Sequence, residues 1–244
     1  MNKYHNNNGF TLVELVIVII IIGIIAAIAT RQMSGTIETA RMEQTKKEMD
    51  QLARAIAGDP ALYSGQSRTD FGYVGDVGAL PPNLDALVQN PGSYATWKGP
   101  YMTKGFNPDD FKKDGWNTPY MYIDTLIRST GSGSNIDKLF AVSTAALLNN
   151  RLEGVITDAD NTMPGIVYRD SLIVRLLYPD GSGGITIALT NLTITGNFYF
   201  NGLPVGNHNL EIIYLPDSDT VTYPVGIHPG RTAKIDITFP ADLW

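Results

Sequence analysis

One run of side chains dominates the hydrophobic pattern. Between residues 10 and 29 the only polar side chains are Thr11 and Glu14, and a stretch of that length crosses a bilayer as one helix. From residue 30 to 57 the pattern turns amphipathic. Met33, Ile37, Ala40, Met49, Leu52, Ala53 and Ile56 fall mostly on one helical face. Glu43/Lys47 and Asp50/Arg54 stand four apart in the order that favours ion pairs on a helix. Gly35 is the one breaker inside this stretch, and Gly58-Asp59-Pro60 stops it. Residues 10–57 are expected to form one helix, roughly 70 Å long at about 1.5 Å per residue. Residues 58–150 mix their periods. A short helix is expected at 80–88, entered through Pro81 and Pro82, with strands at 118–123 and 138–142. From residue 151 alternation with period two takes over between Gly, Pro, Asn and Asp turns. It is clear at 172–178, 185–189, 197–200, Leu210/Ile212/Tyr214 and Ala233/Ile235/Ile237/Phe239. The expected fold class is α+β: a long N-terminal helix (10–57), a small α+β head (58–150) and an all-β sandwich (151–244).

Glu14 is the residue that changes the picture. A charge in a membrane span costs about 2.5–3.5 kcal/mol on insertion scales, so an acid there is a functional hypothesis by default. A secretory signal peptide would use Lys3, the apolar core and Ala27-Ile28-Ala29 as its cleavage site. A plain single-span anchor would use the same core. Neither needs Gly9 directly before Phe10, and Glu14 harms both. The apolar run is also longer than the ~7–15 residues of a signal-peptide core.

The string Gly9-Phe10-Thr11-Leu12-x-Glu14, with Gly23 beyond it, resembles the N-terminus of type IV pilins and of the pseudopilins of type II secretion. The resemblance implies a leader at 1–9, cut after Gly9 by a membrane prepilin peptidase that methylates the new N-terminus at Phe10. It implies that residues 10–29 are both the membrane anchor and the filament core. It assigns Glu14 to assembly, pairing with the Phe10 amine of a neighbouring subunit. A buried carboxylate is expensive without such a partner, so Glu14 would set the register between subunits. The family's proline just past the apolar run is missing, since the chain reads Ala29-Thr30-Arg31-Gln32. Less bending is expected there.

Two patches of the head, Trp97-Lys98-Gly99-Pro100-Tyr101 and Asp114-Gly115-Trp116-Asn117-Thr118-Pro119-Tyr120, resemble the major pseudopilin of type II secretion. Core and turn packing accounts for their aromatics. That family binds calcium near the end of the head. Asp137 is present in the matching region, but the later segment that supplies ligands is not. No cofactor is expected. Calcium stays the open alternative beside the preferred reading, that the site was lost where the second domain joins. Residues 154–158 and 196–210 resemble the carboxypeptidase-regulatory, transthyretin-like domains, which are structural or binding modules and imply no catalysis.

Composition narrows the partners. The chain has 244 residues, 24 acidic against 18 basic, a net charge of −6 and no cysteine. No dense basic cluster marks a nucleic-acid partner, and without cysteine there are no disulfides or thiolate metal sites. His208 and His228 are the only histidines past the leader, and His208 reads as packed. With no serine or cysteine partnered to them, no catalytic residue and no enzyme are expected. Asp158-Ala159-Asp160-Asn161 lacks the spacing of a calcium loop and reads as a solvated turn.

The expected protein is a structural subunit of a periplasmic pseudopilus that aids protein export. It would be single-pass in a bacterial inner membrane, with its head in the periplasm. Its partners would be homologous subunits, the prepilin peptidase, an inner-membrane assembly platform and secreted proteins. A minor type IV pilus subunit with an adhesive sandwich, and a tethered binding protein that does not polymerise, are the alternatives.

Overall fold

The computed structural model describes residues 10–64, 67–102 and 109–241. The chain divides into two compact units, Met1–Gln44 and Thr45–Trp244. Helix α1 (Leu12–Ala57) begins in the first. From Phe10 to Ile28 its large apolar side chains are 44–83% exposed. Among the described residues this is the one helix long and apolar enough to cross a membrane. Past the apolar run, hydroxyls turn back onto the helix itself. Thr30 Oγ1 donates to Ala26 O at 2.6 Å, and Ser34, Thr36 and Thr39 each bond the carbonyl four residues before.

In the second unit the last turns of α1 become core. Met49, Leu52 and Ile56 are buried, whereas Met33 and Ile37, expected on the same face, are 66% and 45% exposed in the first unit. The helix ends where expected. Gly58 takes φ 78° and donates to Arg54 O at 2.7 Å, and a Cβ there would lie 2.3 Å from Asp70 O. Asp50 and Arg54 do not pair with each other. Asp50 binds Lys138, and Arg54 reaches Asp59 at 3.4 Å. Partners brought by the fold replace the pair that spacing alone favoured.

The head follows. A two-residue ribbon, β1 (Tyr63–Ser64) with β2 (Ser67–Arg68), leads to α2 (Gly72–Val77). The helix expected at 80–88 is a 3-10 turn, Leu84–Leu87, whose first turn is capped by the Asn83 side chain. Strands β3 (Met121–Ile123), β4 (Leu126–Ser129) and β5 (Ile136–Leu139) make an antiparallel sheet, and α3 (Thr144–Leu148), capped by Ser143, closes the head. Met49, Leu52 and Ile56 pack with Tyr73, Val74, Leu87, Ile127 and Leu147 as its core.

Strand β6 (Asn150–Asp158) leaves α3 directly and opens the sandwich. A short helix α4 (Gly165–Tyr168) precedes β7 (Leu172–Pro179), β8 (Ile185–Thr190), β9 (Asn197–Leu203), β10 (Gly206–Tyr214), β11 (Asp219–Ile227) and β12 (Thr232–Phe239). One sheet runs β11-β10-β7-β8 and the other β12-β6-β9, with β12 and β6 parallel. Alternation decides which side chains are inside. Leu172, Val174 and Leu176 of β7 meet Leu210 and Ile212 of β10, and Ile156, Phe198 and Ile237 cover them from the other sheet. On the outer face, β8 lies at the sheet edge with Ile185, Ile187 and Leu189 53–68% exposed.

Candidate functional site

Of the residues expected to act, Gly9 lies outside the described residues, Phe10 precedes α1 and Glu14 lies in its first turn. Phe10 is exposed. Thr11 and Glu14 form a reciprocal cap. Thr11 N and Thr11 Oγ1 both donate to Glu14 Oε2 at 2.9 Å, and Glu14 N donates to Thr11 Oγ1 at 3.3 Å. The cap satisfies amides that a helix start leaves open. Both contacts use one carboxylate oxygen. Oε1 accepts nothing among the described residues, and no cation of the chain pairs with it there. Glu14 thus offers one engaged and one open oxygen within the apolar run of the helix. Sequence reasoning gave Glu14 a partner in another subunit and missed the one in its own chain. The Thr-x-x-Glu spacing before an apolar run was the available signal.

The Asp114-to-Tyr120 patch fastens the head to α1. The buried Asp114 carboxylate accepts four bonds: from Trp116 N (3.0 Å) and Thr118 N (2.9 Å) on one oxygen, and from Ser129 Oγ (2.6 Å) and Gly131 N (3.0 Å) on the other. Gly115 N donates to Thr45 Oγ1 at 2.9 Å, and the Tyr120 hydroxyl donates to Glu48 Oε2 at 2.9 Å. Burial, reinforced by the Glu48 carboxylate, pushes the Tyr120 phenol well above its ordinary range. In the other patch, Trp97 Nε1 donates to Ala86 O at 2.9 Å and the Tyr101 hydroxyl to Asp76 Oδ2 at 2.9 Å. Both patches are packing and hydrogen-bonding devices, as their aromatics implied.

Asp137 is gripped by Arg128 through two bonds of 2.6 and 2.7 Å, and this pairing holds its carboxyl below the usual range. Among the described residues no group of three or more His, Asp or Glu is placed to hold a metal. His208 is buried, its Nε2 2.8 Å from Pro204 O, and its Nδ1 makes no hydrogen bond. The Asp158 turn is not solvated at its root. Asp158 is buried and accepts from Asp160 N at 3.0 Å and Thr162 N at 2.7 Å.

Residues 4–30 match the family model of the prokaryotic N-terminal methylation motif. Over 120 residues the chain is 28% identical to type II secretion system core protein G of Pseudomonas aeruginosa, covering 48% of this chain and 72% of that protein. Core protein G of Xanthomonas campestris pv. campestris is 29% identical over 93 residues, 38% of this chain and 55% of that one. Type IV major fimbrial protein FimA of Dichelobacter nodosus is 33% identical over 91 residues, 34% of this chain and 56% of that one. These relatives are structural subunits and not enzymes. The methylation motif stands on an apolar helix, and over a third to a half of its length the chain is similar to type IV pilin and type II secretion pseudopilin subunits.

Proposed function

We propose that the protein is a subunit of a type II secretion pseudopilus, cut by prepilin peptidase after Gly9 and methylated at Phe10. The anchored subunit faces the periplasm and is drawn from the inner membrane onto an assembly platform, where its apolar helix packs into the filament. The carrying observation is the half-engaged Glu14 carboxylate. Cleavage creates an α-amine at Phe10, and the free Oε1 belongs to the one carboxylate that an incoming amine finds along the apolar run from 10 to 29. Matching the two removes the penalty of a charge in an apolar surround and favours one stagger between neighbours. The similarity to the two core G proteins supports the secretion filament over a pilus. The FimA relative favours a second reading, a minor pilus subunit that displays the sandwich.

The mass of the N-terminal peptide from native membranes, with and without prepilin peptidase, tests the proposal. A methylated start at Phe10 that vanishes without the peptidase is expected. A start at Thr30 would mean a signal peptide, and an intact Met1 under both conditions a tether that does not assemble. Imaging cells for external filaments then separates pseudopilus from pilus.

A further inference from the structure

Head and sandwich belong to one compact unit, and a cleft of about 390 Å³ lies between them. Asp76, Thr96 and Lys98 line it from the head; Leu177, Ile185 and Asn209 line it from the outer face of the sandwich. The two walls are fastened to each other. Thr96 N donates to Gly183 O at 3.2 Å and Gly181 N to Val77 O at 2.9 Å. The cleft is therefore built into the fold. Its size is at the small end of ligand pockets, about 300–1,000 Å³.

Three features select a ligand. Thr96 is 9% exposed and its hydroxyl makes no hydrogen bond, a state that folded proteins avoid. The exposed Asn209 amide also has no partner among the described residues, so a donor and an acceptor stand ready on the opposite wall. The two lining charges cancel, with Lys98 Nζ 3.0 Å from Asp76 Oδ1 and the other Asp76 oxygen taken by the Tyr101 hydroxyl. A phosphate or a carboxylate meets a lysine already neutralised by Asp76, and a cation meets a carboxylate already neutralised by Lys98. A neutral molecule rich in hydroxyls needs neither charge, and Leu177 and Ile185 supply an apolar wall for its C–H face.

We propose that this cleft binds a neutral saccharide, with Asn209 and, after a turn of its side chain, Thr96 bonding the sugar hydroxyls. The inference stands apart from the choice of filament and from N-terminal processing.

The test titrates the full chain, in a detergent without a sugar headgroup, with maltose, cellobiose and diacetylchitobiose by saturation-transfer NMR and calorimetry. At least one is expected to bind saturably. Asn209→Ala and Thr96→Val should each weaken it about tenfold or more, with the far-UV spectrum unchanged. Asn161→Ala, in the turn after β6, should leave binding intact. Absence of saturable binding by all three up to about 10 mM overturns the proposal, and so does binding that survives both cleft substitutions.

Discussion

Val205 lies on the sandwich side of the chain, yet its N–H donates to Leu147 O at 2.8 Å and its side chain is buried in the core of the head. Gly230 N adds bonds to Ala146 O at 3.2 Å and to Asn150 Oδ1 at 2.8 Å. Head and sandwich should therefore unfold in one step. Val205→Ala should lower stability by roughly 2–3 kcal/mol, and Val205→Asp by more. Urea unfolding followed by tryptophan fluorescence and by far-UV signal checks this. Two separated transitions in the parent protein would show independent modules.

Asp114→Asn should cost roughly 3 kcal/mol. The amide group turns donors toward donors, and bonds to a charged acceptor are among the stronger ones. A thermal midpoint unchanged in the purified variant would contradict the four-bond arrangement.

His208 makes stability depend on pH. Burial holds its pKa below the ordinary value, and His228 shifts the same way through burial and the nearby Arg68 and Arg231 cations. The unfolded chain therefore takes up protons first as the pH falls. The stability from neutral His208 is complete above about pH 6.5 and is lost progressively below it. His208→Gln keeps a donor for Pro204 O and should flatten the loss between about pH 7 and 5, as read from urea midpoints.

Thr11 and Glu14 can be separated. Glu14→Ala should leave cleavage largely intact and abolish or weaken assembly. Thr11→Val removes only the cap hydroxyl, worth about 1 kcal/mol of helix stability, and should still assemble. Sheared or purified filaments counted by electron microscopy decide this; normal filaments from the Glu14 variant would leave the carboxylate without an assembly role.

Calcium should not be required by the head. Arg128 occupies both oxygens of Asp137, so a cation would have to displace it. Adding calcium or a chelator is expected to leave the melting temperature unchanged, and a rise of several degrees with calcium would restore the family's site.

What was legible in the sequence was local. The stop of α1 at Gly58 follows from one residue free to adopt positive φ, and β7, β8, β10 and β12 follow from simple alternation. Strand β11 was missed because Pro224 interrupts it, which its place at a sheet edge tolerates. Much of β6 was hidden because Gly154 breaks its pattern; a Cβ there would lie 2.2 Å from the ring of Phe198. At Asp114 the motif was visible but its purpose was not. Two of its four donors come from Ser129 and Gly131, which only the folded chain brings near. The cleft was invisible for the same reason, since its walls come from distant parts of the chain.

The β8 strand has a consequence for anyone handling the protein. Ile185-Thr186-Ile187-Ala188-Leu189-Thr190 carries neither charge nor proline, the two usual guards of a sheet edge. Trimming away the membrane helix to obtain a water-soluble fragment leaves this adhesive border in place. Concentrated samples will gather into oligomers through it, and salt will not disperse them, because nothing on the strand is ionised. A single lysine introduced as Ile187→Lys is the remedy that leaves the sandwich interior untouched.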